Sequence, residues 1–523
     1  RRGGPRPGRP GVAEPAQRAA GRGPPRPLPF LTSPQDVVPF KSDAQRRSTL
    51  IAIYSMFILE RGDESILPAV FKFIGDHLAT DPKGLANIQL SRSLTQAAVA
   101  PFSGVAGDRF NRVHVVSIGA LIWGLATIAM GLLTDIHQAY AFAIFNGLGL
   151  SLIVPSVQSL IADSYVSKSR GSAFGALYMI SSLGSMAVSF FSTSIGGQKI
   201  GAVDGWRFAF LLVGAVSLAA SAAVLCLAVD PRADAKKARR AALIASGVKD
   251  EPFFKWCAGR ATSMGRDIKI VLAVPTFVII VLQGIVGSMP WTAMGFSTLY
   301  LQSTGFSDLR AATVAACFSL GCAVGSALGG VFGDRATRRF GNRGRVAVCQ
   351  VSVALSIPAA LTILKWLPVG TGEPSSADKL TGLYAPVFFL AGSLISWCGT
   401  NNSAIFSQVV PEQLRSSIYA FDRAFETAIG SLAGPIVGAL TPLFGFTGSL
   451  KYSDSTPVAT LTTNARALGT AMLVMMIVPW ILCFAAYLGL YWTLDRDEAH
   501  AGVLAKRFAA DAAAAAAAAA DTE

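Results

Sequence analysis

Four charged residues, Glu60, Arg61, Asp63 and Glu64, stand inside one otherwise apolar stretch of this sequence. On a helix, Arg61 and Glu64 are i,i+3 neighbours that can pair, while Glu60 and Glu64 share a face at i,i+4. Two carboxylates that close together disfavour double ionisation, so one of them is suited to carry a proton. Arg92 falls at similar depth in the next apolar stretch and is the natural partner for Asp63 or Glu64. A second set, Asp422, Arg423 and Glu426, enters a later stretch, with Asp422 and Glu426 again on one face. The chemistry these residues offer is proton binding and ion pairing. Two readings stay open for each cluster: a neutralised structural ion network, or a coupling site built from Glu60, Arg61 and Glu426.

Other chemistries find no support. No nucleophile–base constellation is apparent, so an enzyme is not expected. The seven cysteines are scattered without a Cys-x-x-Cys and the four histidines are isolated. Neither a metal nor a disulfide framework is indicated, and no cofactor is expected. No Gly-Lys-Ser/Thr phosphate loop is apparent, which argues against built-in ATP hydrolysis. Gln283, Trp291, Asn401, Asn402 and Gln408 lie in apolar stretches, where each can line a substrate cavity or serve as a hydrogen bond between helices.

The elements that must position these residues follow from composition. Of 523 residues, 52% are hydrophobic and 15% charged, against roughly a quarter charged in an ordinary soluble chain. The apolar residues gather in runs of about 20, enough to cross a hydrocarbon core of about 30 Å. Val113–Leu133, Trp206–Val229, Ile270–Met289, Val346–Leu364 and Leu468–Leu490 are the clearest. Twelve spans are expected, near 48–75, 84–107, 113–133, 138–162, 171–195, 206–229, 270–301, 308–333, 345–365, 382–409, 415–445 and 467–493. The fold class is therefore an all-α membrane protein of two six-helix bundles, residues 48–229 and 268–495. A charged linker at 230–267 separates them, with an amphipathic piece at Pro252–Cys257.

The net charge of +14 suits no nucleic acid, because Lys and Arg collect in alternate loops instead of one stripe. Arg109, Arg112, Lys168, Arg170, the linker and Arg335–Arg345 fall on one side, which the positive-inside rule makes cytosolic together with both termini. Residues 1–47 are rich in Arg, Pro and Gly and read either as a disordered tail or as a transit segment. The second reading would place the protein in an organelle (plastid) envelope. Residues 496–523 form a C-terminal tail with an Ala run.

Two segments repeat. Gly104-Val-Ala-Gly-Asp108-Arg109-Phe-Asn-Arg112 follows the second span, and Gly330-Val-Phe-Gly-Asp334-Arg335-Ala-Thr-Arg338 follows the eighth. Later in each half, Asp163 precedes Arg170, and Glu412 precedes Arg415. Equal spacing at equivalent places in two six-span halves is the internal repeat of a transporter.

These segments resemble the loop motif of the major facilitator superfamily, usually written G-x-x-x-D-R-x-G-R-R, over about residues 48–495. The sequence departs from it at Asn111, Thr337 and Val113. Glu60-Arg61 with Pro68 is similar to the first helix of the Spinster-like subfamily, and Tyr419–Glu426 looks like plant and algal relatives. The superfamily's fourth-helix Arg, expected four before Gly147, is Ala143 here.

The resemblance implies secondary active transport of a small organic solute by alternating access, as a proton-coupled symporter or antiporter. Its Spinster-like part implies a lysolipid or sphingolipid-like substrate. An uncoupled facilitator, a sugar or organic-anion transporter, and a transporter-like sensor are the alternatives. With the helix dipole, it also implies a conformational latch. Asp108 would face the start of the eleventh span near Arg415, and Asp334 the start of the fifth near Arg170. Arg109 and Arg112 would pair with Asp163, and Arg335 with Glu412. The expected partners are the lipid bilayer, the solute and protons, with the chain acting as a monomer.

Overall fold

In a computed structural model of the protein the description covers residues 40, 42–165, 167–234, 237, 272–369, 377–410, 415–447 and 458–520. The side chains at several helical positions, among them 104, 108, 109, 170, 415 and 423, lie outside it. The N-terminal segment, most of the linker with Pro252–Cys257, and Glu412 also lie outside the described residues.

The first half runs α1 (Asp43–Ala69), α2 (Phe71–His77), α3 (Pro82–Arg109), α4 (Arg112–Gly131), α5 (Ile136–Ser164), α6 (Ser167–Gly196) and α7 (Gly205–Leu227). Between α6 and α7 lies a minimal antiparallel hairpin, β1 (Lys199–Ile200) and β2 (Val203–Asp204), with Lys199 opposite Asp204. The second half runs α8 (Pro275–Met294), α9 (Ser297–Ser303), α10 (Asp308–Phe340), α11 (Asn342–Leu361), α12 (Thr381–Ile395), α13 (Cys398–Val409), α14 (Arg415–Gly430), α15 (Ala433–Leu440) and α16 (Val458–Ala520). Read as spans, α1–α2, α8–α9, α12–α13 and α14–α15 are broken helices, giving twelve spans in two bundles.

Short polar residues start the helices. Asp81 accepts from the Gly84 amide (2.8 Å) ahead of α3, Asn111 from the Val113 amide (2.9 Å) ahead of α4, and Asp135 from the His137 amide (2.7 Å) ahead of α5. Each satisfies an amide that the first turn leaves without a partner. Pro68 lies inside α1 and Pro290 inside α8, the first span of each half. A proline cannot donate to the carbonyl four residues back, and both spans break soon after it.

Ten helices among the described residues are long and apolar enough to cross a membrane. α1 (27 residues) and α3 (28 residues) are long enough, at about 1.5 Å per residue, but carry the charged residues named above. On α4, Ile118, Leu121 and Leu125 point outward while Val116, Ala120 and Trp123 are buried. An apolar stripe left on the outside of an already apolar helix suits lipid. The twelfth span outruns its expected 467–493 at both ends, because its alanine-rich tail has the highest helix propensity of any residue type.

Close packing in the second bundle is set by glycine. Gly321, Gly325, Gly329 and Gly333 of α10 lie against Phe389, Ser393, Trp397 and Asn401, so four-residue steps on one helix meet four-residue steps on its neighbour. Small residues at this period let helix backbones approach in lipid.

Candidate functional site

The charged residues of α1 and α3 come together. Arg61 reaches Glu64 at 2.6 Å and Glu60 at 3.2 Å, and its guanidinium stands over the Phe57 ring. Arg92 reaches Glu64 at 3.2 Å and Asp63 at 3.9 Å. Asp63 accepts hydrogen bonds from Thr127 of α4 (2.6 Å) and Asn146 of α5 (3.0 Å), which also bond each other. Four helices thus meet in one buried network, with Glu60, Asp63 and Arg92 each 3% exposed or less. Although Glu60 Oε2 is close to Arg61, it makes no hydrogen bond. Thr127 and Asn146 escaped the sequence reading, although a lone polar residue in an apolar span is the signal that finds them.

Ala143 is buried, and one turn later α5 meets α3 so closely that a Cβ on Gly147 would strike the Arg92 carbonyl. The guanidinium that the superfamily usually takes from its fourth helix is supplied to this level by the second.

Beside the network, between the two halves, lies a cavity of about 340 Å³. Glu64 lines it from α1 and Glu426 from α14, with Trp291 of α8 on the wall. Glu426 lies over Gly284, where any Cβ would collide with its carboxylate. Asp422 is buried one turn away. The Arg423 side chain lies outside the described residues.

The end of the molecule opposite the linker is closed by contacts between halves. Phe71 and Phe296 meet at 5.3 Å between centroids, and Lys72 pairs with Asp308 at 3.2 Å. α15 lies on α3, with Gly434 facing Ala86 and Gly438 facing the Lys83 backbone. The helix breaks at Val70 and at Gly295–Phe296 put the two aromatic rings into this closure.

At the linker end, Arg112 is buried between two acids. It pairs with Asp163 at 2.8 Å, and both its backbone amide (3.0 Å) and its side chain donate to Asp230. Arg232 also pairs with Asp163. Asp230, missed in the sequence, sits just past α7, where an acid facing the N-terminus of α4 is favoured by the helix dipole. In the second half Asp334 is 64% exposed at its side chain and is held by Arg345 of its own half at 2.7 Å. The expected partner near Arg170 is not what engages it here. The reason is that α10 continues two turns past the motif aspartate to Phe340, bringing the start of α11 within reach. Arg335 and Arg338 are exposed. The side chains of Gly104, Asp108, Arg109, Arg170 and Arg415 lie outside the described residues, and Gly330 makes only a loose approach to Thr400.

Of the five residues expected to line a cavity, Trp291 does so. The other four are spent elsewhere. Gln283 donates to Cys483 (3.0 Å) and accepts from Asn402 (2.9 Å), which in turn accepts from Tyr487 (2.7 Å). Asn401 donates to the Gly329 and Trp397 carbonyls, and Gln408 donates to Asn342. Unpaired amides are costly away from water, so these side chains join neighbouring helices instead of facing the cavity.

The sequence model of the Major Facilitator Superfamily matches residues 53–435, well over half the chain. The chain belongs to the major facilitator superfamily. Among curated proteins it is similar to Multidrug resistance protein 2 of Bacillus subtilis (strain 168), 27% identical over 34% of this chain and 42% of that protein. It is also similar to Quinolone resistance protein NorA of Staphylococcus aureus (strain Mu50 / ATCC 700699), 20% identical over 36% of this chain and 46% of NorA. The matches thus span less than half the length of these relatives. The fold matches a bacterial homolog of the human lysosomal transporter Spinster in its inward-facing, occupied conformation. That similarity has a TM-score of 0.69 and 17% identity, over 87% of this chain and 99% of that one.

Proposed function

We propose that this chain is a secondary active transporter that moves a small organic solute by alternating access, coupled to protons through the carboxylates of α1. The observation that carries this reading is the network bordering the cavity, in which three carboxylates share two guanidiniums. Guanidiniums stay charged in proteins, so one added proton balances the set. Charge inside a membrane span costs about 2.5–3.5 kcal/mol even on mild scales, so proton occupancy and helix movement are linked. Glu60 is assigned as the carrier, because its buried Oε2 lacks a hydrogen bond while Asp63 is held by Thr127 and Asn146.

Closure at the far end supports an inward-facing state if the positive-inside orientation holds. In such a state the linker-end latches should be released, and Asp334 turned to Arg345 fits that. The latch from Asp108 to the start of α14 belongs to the same proposal, and Asp108→Ala should lower transport while leaving expression intact. The lysolipid expectation rests on the Spinster-like resemblance alone.

The test is solute uptake by purified protein in proteoliposomes, with and without an imposed pH gradient. Gradient-driven uptake that is lost in Glu60→Gln is the expected result. Uptake indifferent to the gradient and to Glu60→Gln would make the protein an uncoupled facilitator and reduce the network to structural pairing.

A further inference from the structure

We infer that the cavity between the halves selects compact amphipathic organic cations, with the cationic head between Glu64 and Glu426 and an aromatic body against Trp291. This rests on the transporter reading above and narrows it to a substrate class.

The argument starts from charge. The ionisable residues among the described lining are Glu64 and Glu426, one from each half, with no Lys, Arg or His beside them. Arg61 and Arg92 hold Glu64 from behind, yet the three carboxylates of that network still outnumber its two guanidiniums. Glu426 keeps its place on the wall because position 284 is glycine. An anionic head group would bring like charges together in a site poor in water, where the repulsion is only weakly screened.

Shape adds the second part. Trp291 is 44% exposed although it lies in a membrane-spanning helix, and the surface it shows faces the cavity. The face of an indole is the strongest aromatic partner for a cation. Phe71 and Phe296 form the closed, apolar end, while Ser288, Thr292 and Thr427 offer hydroxyls along the sides. A volume of about 340 Å³ lies at the low end of the roughly 300–1,000 Å³ range of small-molecule pockets. That suits a one- or two-ring body better than a long acyl chain.

The test uses a permanent cation, so that ligand protonation plays no part. Purified protein in nanodiscs is titrated calorimetrically with 1-methyl-4-phenylpyridinium and with the similarly shaped anion 4-phenylbenzoate. The cation should bind and the anion should not. Glu426→Gln and Trp291→Ala should each weaken cation binding at least tenfold, and Trp291→Phe should restore most of it. Each variant is first shown to melt like the parent, and if Glu426→Gln fails to fold, the Trp291 pair decides. Equal binding of both ions, preference for the anion, no binding of either, or unchanged cation affinity in the folded variants overturns the inference. Proteoliposome flux separates this from the transporter reading. Cation binding without flux would sink transport and leave the charge preference standing. Proton-driven flux of anions without cation binding would do the reverse.

Discussion

The closure between α15 and α3 makes a quantitative prediction at Gly438. A Cβ built there lies 2.5 Å from the Lys83 backbone nitrogen and 2.8 Å from Lys83 Cβ. Carbon atoms settle at about 3.5–4.0 Å, so Gly438→Ala requires α15 to withdraw by roughly 1 Å at this end. The atoms in the way are backbone and cannot rotate aside. Overpacking of this kind costs about 1–3 kcal/mol. The cost falls on the state in which the far end is closed, because opening that end separates α15 from α3. A free-energy difference of that size shifts a two-state equilibrium by about 5–150-fold, away from far-end closure. One turn back, a Cβ on Gly434 would lie 3.3 Å from the Ala86 methyl, so Gly434→Ala should shift it less. The assay is a pair of spin labels at exposed Leu132 and Leu443, attached through unnatural residues so that the native cysteines stay in place. Pulsed dipolar spectroscopy then reports the distance across the far end. Gly438→Ala should move population to the longer distance, and Gly434→Ala should fall between it and the parent. Identical distance distributions in all three proteins would refute the claim that this contact limits opening.

Lys72→Met should have a smaller effect in the same assay, under about fivefold, because a partly exposed pair contributes about 0–1 kcal/mol and Asp308 keeps its hydrogen bond from Gln302. An effect exceeding that of Gly438→Ala would reverse the ranking. Arg112→Met leaves Asp230 and Asp163 buried without their cation and should destabilise by about 3–5 kcal/mol, seen as a large fall in melting temperature, with Arg112→Lys intermediate. A melting temperature within a degree or two of the parent would mean that solvent reaches those acids. His77 is the pH-dependent contact. Its Nε2 lies 2.8 Å from an Arg207 nitrogen, and a guanidinium can only donate, so the ring is neutral and accepts. Burial, then the neighbouring Arg207, hold its pKa below the ordinary histidine value. With the folded value depressed, this stabilisation is complete above the unfolded pKa and is lost as pH falls through the folded one. Melting should therefore drop more between pH 7 and pH 5 in the parent than in His77→Gln, whose side-chain oxygen still accepts; equal drops would discard the assignment.

The architecture was largely legible because its signal is strong: apolar runs of membrane length, two copies of one loop motif, and alternating loop charge. Pairing among Arg61, Glu64 and Arg92 was also legible, since i,i+3 spacing and common depth constrain it. What escaped were contacts between residues remote in sequence. Nothing local in Asp230 announces that it will meet Arg112, and nothing in Thr127 or Asn146 points to Asp63. The amides of Gln283, Asn401 and Asn402 misled for a related reason, because a polar side chain in an apolar helix reads the same whether it faces a cavity or a neighbouring helix. Only packing distinguishes the two, and the glycine register that brings Asn401 against Gly333 was visible merely as a period.

That register has a mechanical consequence. Four successive glycine notches on α10 engage four successive turns of α12 and α13, passing across the break near Ser396 without losing step. Like two racks meshed tooth to tooth, the pair resists both sliding and twisting, since any slip would drive side chains into backbone at every notch together. The second bundle therefore carries a stiff spine, and a push delivered at one end of it arrives undiminished at the other. Flexure is left to the seams where α3 meets α15 and α6 meets α10.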